Sequence, residues 1–536
     1  MRWSDHPSPN LVLIAIVALY LLVGGLYAVW TPAWQSPDEP AHYNYVRYLA
    51  EHNRFPVLHY GDYPHAYLER IKAARFPPDM SIEPIRYEFW QPPLYYVLAT
   101  PVYRLFNGAL LPLRLLSVVF GAGLVILAYA VALTLRPGDT TLAWGTAAFI
   151  AFVPMHLAVT ASVNNDALAE LLLAAVVLLL IRLLPRAGDL DEASPGIACL
   201  AGVGLLLGLG LVTKATVYVA IPLALAALLL SERRPARLAQ RGLALFGPAL
   251  LLALPWYIRN VAIYGWPDLL GTIHHDAVVV GQLRTADYLS SVGWAVYLKN
   301  FAITTFHSFW GQFGWMAVPM DRRIYLALGL FSALMLAGLV LYLWRGEGPE
   351  EEWGKGGRGE EGMVGGREHA SQDTSASDSS ESRSSNHPTG QPSPRHAHPP
   401  SKTWLVIALW FLLTSLVYLY YNLSLVQFQG RYLFPTLIPV GLGAILGLRE
   451  ILSRRRAWVA AALCGLAALL IVLAGLPGGD LDKWGLLVAG GATLLLVIRG
   501  RLPHIHQAWL VAMPLAGLAG LSLYSLFAYV VPYLSP

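Results

Sequence analysis

The sequence predicts an all-α polytopic membrane protein, and three observations support this prediction. Hydrophobic residues make up 56% of its 536 residues and charged residues only 13%, well below the charged share of soluble domains. Apolar runs of about 18 residues or more, the length that crosses a bilayer, recur along most of the chain. Arginines gather in the short loops between these runs. Together these observations exclude an ordinary soluble protein.

The apolar runs predict about 13 membrane spans. The N-terminal run shows no small-residue cleavage site, so we expect a first span and not a removable signal peptide. The predicted spans are 11–30, 111–135, 142–160, 167–184, 197–212, 215–230, 243–261, 324–344, 404–421, 432–448, 458–476, 484–498 and 509–531.

The charges of the loops predict the orientation of the spans. If the N-terminus is cytoplasmic, every strongly basic short loop falls on the cytoplasmic side, as the positive-inside rule requires. We therefore expect an integral protein of the cell (plasma) membrane whose first long loop faces outward. The basic loops lie at Arg136, 182–186, 231–241, 453–457 and 499–501.

One apolar stretch is too short to be a further span. Residues 92–106, "PPLYYVLATPVYRLF", cannot cross a hydrocarbon core of about 30 Å and include Pro101 and Arg104. Their aromatic residues favour a helix that lies in the outer interface. The first outer loop is therefore predicted to carry interfacial helices.

The chain divides into four predicted regions. A membrane core covers 1–345, with outer loops at 31–110, 161–166 and 262–321. A Gly-, Glu-, Ser- and Pro-rich segment, 346–401, has too little apolar surface to fold and is predicted to be a disordered cytoplasmic linker. The core continues over 402–456, and further C-terminal spans cover 457–536.

Charge and cysteine content exclude several other classes of protein. The net charge of +4 is small and indicates no nucleic-acid partner. The two cysteines, Cys199 and Cys464, lie inside apolar runs and indicate neither a disulfide framework nor a metal site.

Polar residues concentrate in the first two predicted outer loops. "SPDEPAHYNYVRYLAE" places Asp38 and Glu39 side by side directly after the first span. The second outer loop ends at Asp166, and Glu170 follows four residues later on the same helix face. The first loop also contains His42, Glu88 and Gln91.

Cationic residues near the other outer loops complete this set. Lys214 and Arg259 lie at the outer ends of predicted spans, and Arg431 lies at the membrane edge in "GRYLFP". Because the topology places acids and cations on one side of the bilayer, we expect them to converge despite their distance in sequence.

These motifs, in this order, resemble the GT-C superfamily of membrane glycosyltransferases. That group includes the protein O-mannosyltransferases, the lipid A aminoarabinose transferase and oligosaccharyltransferase. The match covers about 11–449 and favours the bacterial mannosyltransferase-like (glycosyltransferase family 39-like) branch. The motifs are the Asp-Glu pair, "EFWQPPLYY", "RLLSVVFG", an Asp in the second outer loop, "SFWGQFGWM" and "GRYLFPTLIP".

The resemblance implies a GT-C fold, a polyprenyl-phosphate sugar donor and an acceptor on the outer face. The acceptor would be a lipid, a glycan or a protein. Such a transfer needs a base for the acceptor hydroxyl and positive charge where the phosphate leaves. Asp38 suits the first role and Arg431 the second, with Lys214 or Arg259 as further candidates.

Other acidic and polar residues receive less specific roles. Glu39 and Asp166 join Asp38 as candidate catalytic residues, and Asp38 and Asp166 together could hold a divalent cation, although the reaction need not require one. The candidate substrate-binding residues are Arg431, Arg259, Lys214, His42, Glu88, Gln91 and Glu170.

Structural roles compete with these assignments. In "SPDE", Ser36 could cap a helix that starts at Pro37, with Glu39 closing a capping box. Asp166 could equally be an N-cap, and Arg431 could be an interfacial anchor. His42 and His156 suit hydrogen-bonded structural roles better than metal ligation.

The sequence leaves two other functions open. A transporter or flippase of lipid-linked sugars would show internal repeats and charges at the bilayer midplane. The sequence shows no repeat and places its charges mainly at one edge. A non-catalytic lipid-binding subunit would not need the Asp-Glu pair.

Overall fold

The computed structural model describes residues 9–184, 196–345, 401–475, 482–502 and 507–535. Almost all of the predicted linker, 346–400, lies outside these residues, and Ser401 already begins a helix. Within the described residues the fold is helical apart from one short hairpin, which confirms the predicted all-α membrane class.

The described helices follow the apolar runs closely. They are α1 Pro9–Trp30, α2 Glu39–His52, α3 His65–Ala73, α4 Leu94–Leu105, α5 Leu110–Leu135, α6 Thr140–Ala151, α7 Pro154–Thr160, α8 Asp166–Arg182, α9 Ile197–Leu211, α10 Ala220–Ser231, α11 Pro235–Tyr264, α12 Thr272–Val278, α13 Thr285–Trp310, α14 Arg322–Arg345, α15 Ser401–Ser424, α16 Leu437–Ile451, α17 Arg454–Gly475, α18 Lys483–Arg501, α19 Gln507–Ser525 and α20 Val531–Leu534.

Shorter elements join some of these helices. Two 3₁₀ turns, Ala215–Val219 and Gly430–Thr436, precede α10 and α16, and a π-helical turn, Leu526–Val530, joins α19 to α20. Two antiparallel strands, β1 Gln312–Phe313 and β2 Val318–Pro319, form a small hairpin within "SFWGQFGWM".

The lengths of the described helices do not by themselves give the number of membrane spans. Nine described helices or helix combinations are long and apolar enough to cross a membrane. The predicted span 142–160 is instead two helices, α6 and α7, bent by 65°. The break precedes Pro154, because proline disfavours helical conformation in the residue before it. Helices α8, α9 and α10 match three further predicted spans but are shorter, so the count of 13 is not confirmed.

The first loop is built from short helices. Helices α2, α3 and α4 contain 14, 9 and 12 residues, too few to cross a bilayer. Helix α4 matches the predicted interfacial helix and packs against α2. An aromatic cluster that includes Tyr45, Phe89 and Tyr96 lies between them, and the Tyr45 and Tyr96 rings stack at 3.6 Å.

Small residues allow close packing inside the bundle. A Cβ on Gly338 of α14 or Gly447 of α16 would collide with the backbone of the other helix. Close backbone approach of this kind is a common way for membrane helices to associate.

Helix α19 joins the C-terminal part of the chain to the N-terminal part of the bundle. The Tyr27 hydroxyl donates a hydrogen bond to the Ser522 carbonyl at 2.8 Å, and Ser522 Oγ donates to the Phe152 carbonyl at 2.9 Å. The predicted C-terminal spans therefore include a helix that packs directly against α1 and the α6–α7 bend.

Candidate active site

Asp38 holds an unusual backbone conformation at the start of α2. Its φ of 67° lies in the left-handed region, which Asp and Asn tolerate better than most residues. Its carbonyl accepts the helical hydrogen bonds from Ala41 and His42, but its side chain makes no capping bond. The predicted capping box is therefore wrong: α2 begins at Glu39, and neither Ser36 nor Asp38 caps it with a side chain.

The Asp38 carboxylate is instead held by two distant residues. Tyr87 Oη donates to Oδ1 at 2.8 Å, and Arg431 Nη2 donates to Oδ2 at 2.7 Å. Burial would raise the pKa of Asp38, but the charge of Arg431 and the hydrogen bonds from Arg431 and Tyr87 outweigh it and lower the pKa to about 2. Asp38 is therefore ionised at neutral pH.

Arg431 is positioned by the turn that contains it. Gly430 packs so closely on α13 that a Cβ would collide with the backbone of Thr305 and Phe309. The Gly430 amide donates to Ser308 Oγ at 2.7 Å, and Arg431 Nε donates to Gln429 Oε1 at 2.7 Å. The guanidinium is 8% exposed, which is unlike a free interfacial anchor.

Asp166 and Lys214 form a second ion pair in the same cluster. Lys214 Nζ lies 2.7 Å from Asp166 Oδ1, and the two side chains are 17% and 24% exposed. Asp166 is the first residue of α8 and follows its N-cap, Asn165, so Asp166 is not itself the cap. Both pairs leave a carboxylate that solvent can reach.

His42 lies among these four charges. Burial and the positive charge of Lys214 lower the pKa of His42 to about 3, although Asp38 and Asp166 oppose this shift. Its Nδ1 lies 2.7 Å from the Tyr96 hydroxyl. His42 is thus a neutral residue with a hydrogen bond to Tyr96, and its role in substrate binding stays a prediction.

Glu88 adds a third carboxyl group to the cluster. Burial raises the pKa of Glu88 to about 7, and the Asp38 charge adds to this effect, while Lys214 opposes it. Its Oε2 has no hydrogen-bond partner among the described residues. Gln91, three residues later, accepts a hydrogen bond from Asn165 at 3.2 Å and so connects the first loop to the second.

Glu39 plays a different part from its neighbour. Its carboxylate is fully buried and accepts from Arg114 Nε at 2.8 Å and Nη2 at 2.7 Å. The backbone amides of Val163 and Trp34 donate to the same carboxylate at 3.1 Å. With every oxygen engaged inside the protein, Glu39 connects the two outer loops and sets the position of Asp38.

Arg114, the partner of Glu39, also bonds to the backbone that follows the first span. It donates to the carbonyls of Ala28, Thr31 and Pro32, at 3.0, 2.6 and 3.2 Å, and so joins the end of α1 to the start of α5. Arg114 and Tyr87 were not predicted as site residues. Their only sequence signal is their presence in "RLLSVVFG" and beside Glu88.

Two predicted substrate-binding residues lie apart from the two ion pairs. Arg259 stacks over Trp256, 4.5 Å from the ring centroid, and donates to the Pro56 carbonyl. Glu170 is buried, with Oε2 2.9 Å from Nε2 of His156. The structure therefore gives both side chains partners within the protein.

The residues proposed as metal ligands do not form a preformed metal site. Both Asp38 oxygens and one Asp166 oxygen are already bonded to protein donors. No group of three His, Cys, Asp or Glu residues suited to a metal occurs in the described part of the chain. A divalent cation at Asp38 and Asp166 stays a prediction, and no step below depends on it.

Comparison with known proteins agrees with this architecture. The family described as dolichyl-phosphate-mannose-protein mannosyltransferase matches residues 90–258. ArnT from Cupriavidus metallidurans bound to undecaprenyl phosphate shares the fold at a TM-score of 0.52 and 14% identity, over 97% of this chain and 77% of ArnT. The chain therefore shares its fold with ArnT, while the family match is confined to residues 90–258. No curated protein sequence matches the chain.

Two further structures match this chain with a similar or lower TM-score. ArnT in the apo state matches with a TM-score of 0.50, 14% identity and the same coverage. The Archaeoglobus fulgidus oligosaccharyltransferase tethered with an acceptor peptide matches at 0.45 and 12% identity, over 95% of this chain and 55% of that one. The family match and the shared fold support a membrane glycosyltransferase.

Proposed function

We propose that this protein is a GT-C glycosyltransferase that moves a sugar from a polyprenyl-phosphate donor to an acceptor on the outer face of the membrane. The observation that carries the proposal is the pair formed by Asp38 and Arg431, which lie 393 positions apart in sequence and 2.7 Å apart in space. It places a partly exposed carboxylate beside a guanidinium at the end of the bundle where the first loop lies.

The pair suits the two halves of a glycosyl transfer. The acceptor hydroxyl oxygen attacks the anomeric carbon and loses its proton to the Asp38 carboxylate. The bond from the anomeric carbon to the phosphate oxygen breaks, and polyprenyl phosphate leaves with the electron pair. A well-placed base contributes roughly 10²- to 10⁴-fold to such a step.

Arg431 and Lys214 suit the leaving phosphate. A sugar phosphodiester carries one negative charge, whereas the released monoester gains up to a second one near neutral pH. Two preorganised cations therefore stabilise charge that develops during the reaction. The undecaprenyl phosphate bound by ArnT, which has the same fold, supports a polyprenyl phosphate as the lipid of the donor.

Charge and the lipid support the outer-face location that we propose. Asp38, Asp166, Lys214 and Arg431 lie together, as the positive-inside topology predicted for one side of the bilayer. These residues lie near the ends of α1, α8 and α9, so in this proposal the polyprenyl chain lies in the membrane with its phosphate beside them.

Arg431→Lys tests the phosphate assignment. We expect turnover to fall roughly ten-fold or more although the charge is retained, because lysine lacks the planar fork that grips two phosphate oxygens. The measurement is transfer of labelled sugar by purified protein in lipid. Arg259→Lys is the matched control and is expected to keep most activity. If only the Arg259 variant loses turnover, Arg431 is not the phosphate ligand.

A further inference from the structure

The two cations that we assign to the donor's phosphate are already engaged by carboxylates. Arg431 Nη2 is bonded to Asp38, and Lys214 Nζ is bonded to Asp166. Each edge of a guanidinium that can bind a phosphate bidentately includes one of the two N–H groups of Nη2. A phosphate that Arg431 holds at either edge would therefore share Nη2 with the Asp38 carboxylate, and the two anions would repel each other.

The same ion pair makes Asp38 a weak base. A general base works best when its pKa lies near the operating pH. Arg431 Nη2 lies 2.7 Å from Asp38 Oδ2, and this contact stabilises the charged carboxylate, which makes it a poorer proton acceptor. A site that used Asp38 in this state would abstract a proton with a carboxylate whose charge is already neutralised.

Tyr87 offers a second hold on the carboxylate. Its hydroxyl donates to Oδ1, the oxygen that Arg431 does not contact, and the ring is buried against Tyr63 at 5.4 Å between centroids. Loss of the Arg431 contact would therefore leave Asp38 attached at one oxygen and free at the other.

We propose that the donor's phosphate displaces Asp38 from Arg431. Tyr87 is then the positioning residue that keeps Asp38 in place. This inference rests on the proposed function. The donor brings the anion that frees the base, so Asp38 becomes competent only when a donor is bound. The order of events follows: donor binds first, and the acceptor hydroxyl is deprotonated afterwards.

Several other groups act on Asp38 and define its surroundings. The groups other than Arg431 keep their protonation state during the exchange, so the change at Asp38 comes from the loss of the Arg431 contact. The titratable and charged groups that face Asp38 are His42, Tyr63, Tyr87, Glu88, His275, Tyr421, Arg431 and Tyr432.

Binding of undecaprenyl phosphate, without any sugar, tests the competition. Asp38→Asn is expected to bind this probe roughly three- to ten-fold more tightly than the parent protein, since one competing charge pair is removed. Asn suits the left-handed backbone at this position, so the variant should fold. Asp287→Asn, which removes an exposed charge from the 262–321 loop, is expected to leave the affinity unchanged.

The result that overturns the exchange is an Asp38→Asn protein that binds the probe no more tightly than the parent. The transfer assay separates this failure from failure of the proposed function. If Asp38→Asn loses transfer but binds the probe as tightly as the parent, Asp38 is still the base, but the phosphate does not displace it from Arg431. If Asp38→Asn transfers sugar at the parent rate, Asp38 is not the base.

Tyr87→Phe tests the positioning role. Because a hydrogen bond to the charged carboxylate lowers its pKa, the acid limb of kcat at saturating donor should move up by about one pH unit when the hydroxyl is removed. Activity is then lost at a higher pH as the medium is acidified. Tyr67→Phe removes a hydroxyl that bonds the Ser81 carbonyl in the same loop and should leave the limb in place. A lower kcat at every pH without a shift would show that Tyr87 is only structural.

Discussion

Asp38→Asn is expected to reduce sugar transfer roughly 10²-fold or more in a protein that still folds. The amide keeps the size of the side chain and tolerates the left-handed backbone, but it cannot accept the proton of the acceptor hydroxyl. The structure removes the main competing explanation, because the Asp38 side chain makes no helix-capping bond. A loss of activity would therefore not be a loss of the cap.

Transfer and thermal unfolding should be measured on the same preparations of Asp38→Asn and the parent. Asp287→Asn serves as the control for the loss of one negative charge from an exposed position on a later loop. Parent-rate transfer by a folded Asp38→Asn protein would show that Asp38 is not the base.

Glu39→Gln is expected to have its largest effect on stability. Glu39 and Arg114 are 0% and 3% exposed, and the substitution leaves the buried guanidinium without its counter-charge. Removing one partner of a buried ion pair typically costs about 3–5 kcal/mol. We expect a large drop in the unfolding temperature or a failure to accumulate folded protein.

An exposed pair in the same helix provides the control for this measurement. Arg47 and Glu51 are bonded at 2.9 Å with side chains 38% and 45% exposed, so Glu51→Gln should cost less than about 1 kcal/mol. A Glu39→Gln protein as stable as the parent but inactive would contradict the structural role and return Glu39 to the catalytic residues.

Much of the fold could be predicted because membrane helices are defined by composition. Runs of apolar residues predicted the helix bundle, and an apolar stretch too short to cross the membrane predicted the interfacial helix α4. The break between α6 and α7 was missed because the apolar run continues through it. The alternative in which Ser36 caps α2 is not formed, and contacts from Tyr87 and Arg431 instead hold the side chain of Asp38.

The candidate site was partly predictable because membrane topology restricts which residues can meet. Asp38, Asp166, Lys214 and Arg431 were expected on one side, and the structure brings them together in two ion pairs. Which acid pairs with which cation could not be read from the sequence, since partners lie as far apart as Asp38 and Arg431. Arg259 satisfied the same sequence criteria as Arg431, and only packing against Trp256 and Pro56 separates it from the cluster.

The most direct test of the account is incubation of purified protein, reconstituted in lipid, with a panel of radiolabelled polyprenyl-phosphate sugars. The account predicts that at least one donor releases its sugar to water or to an acceptor, and that Asp38→Asn abolishes most of this release. Movement of an intact lipid-linked sugar across the bilayer, with no cleavage of any donor, would contradict it.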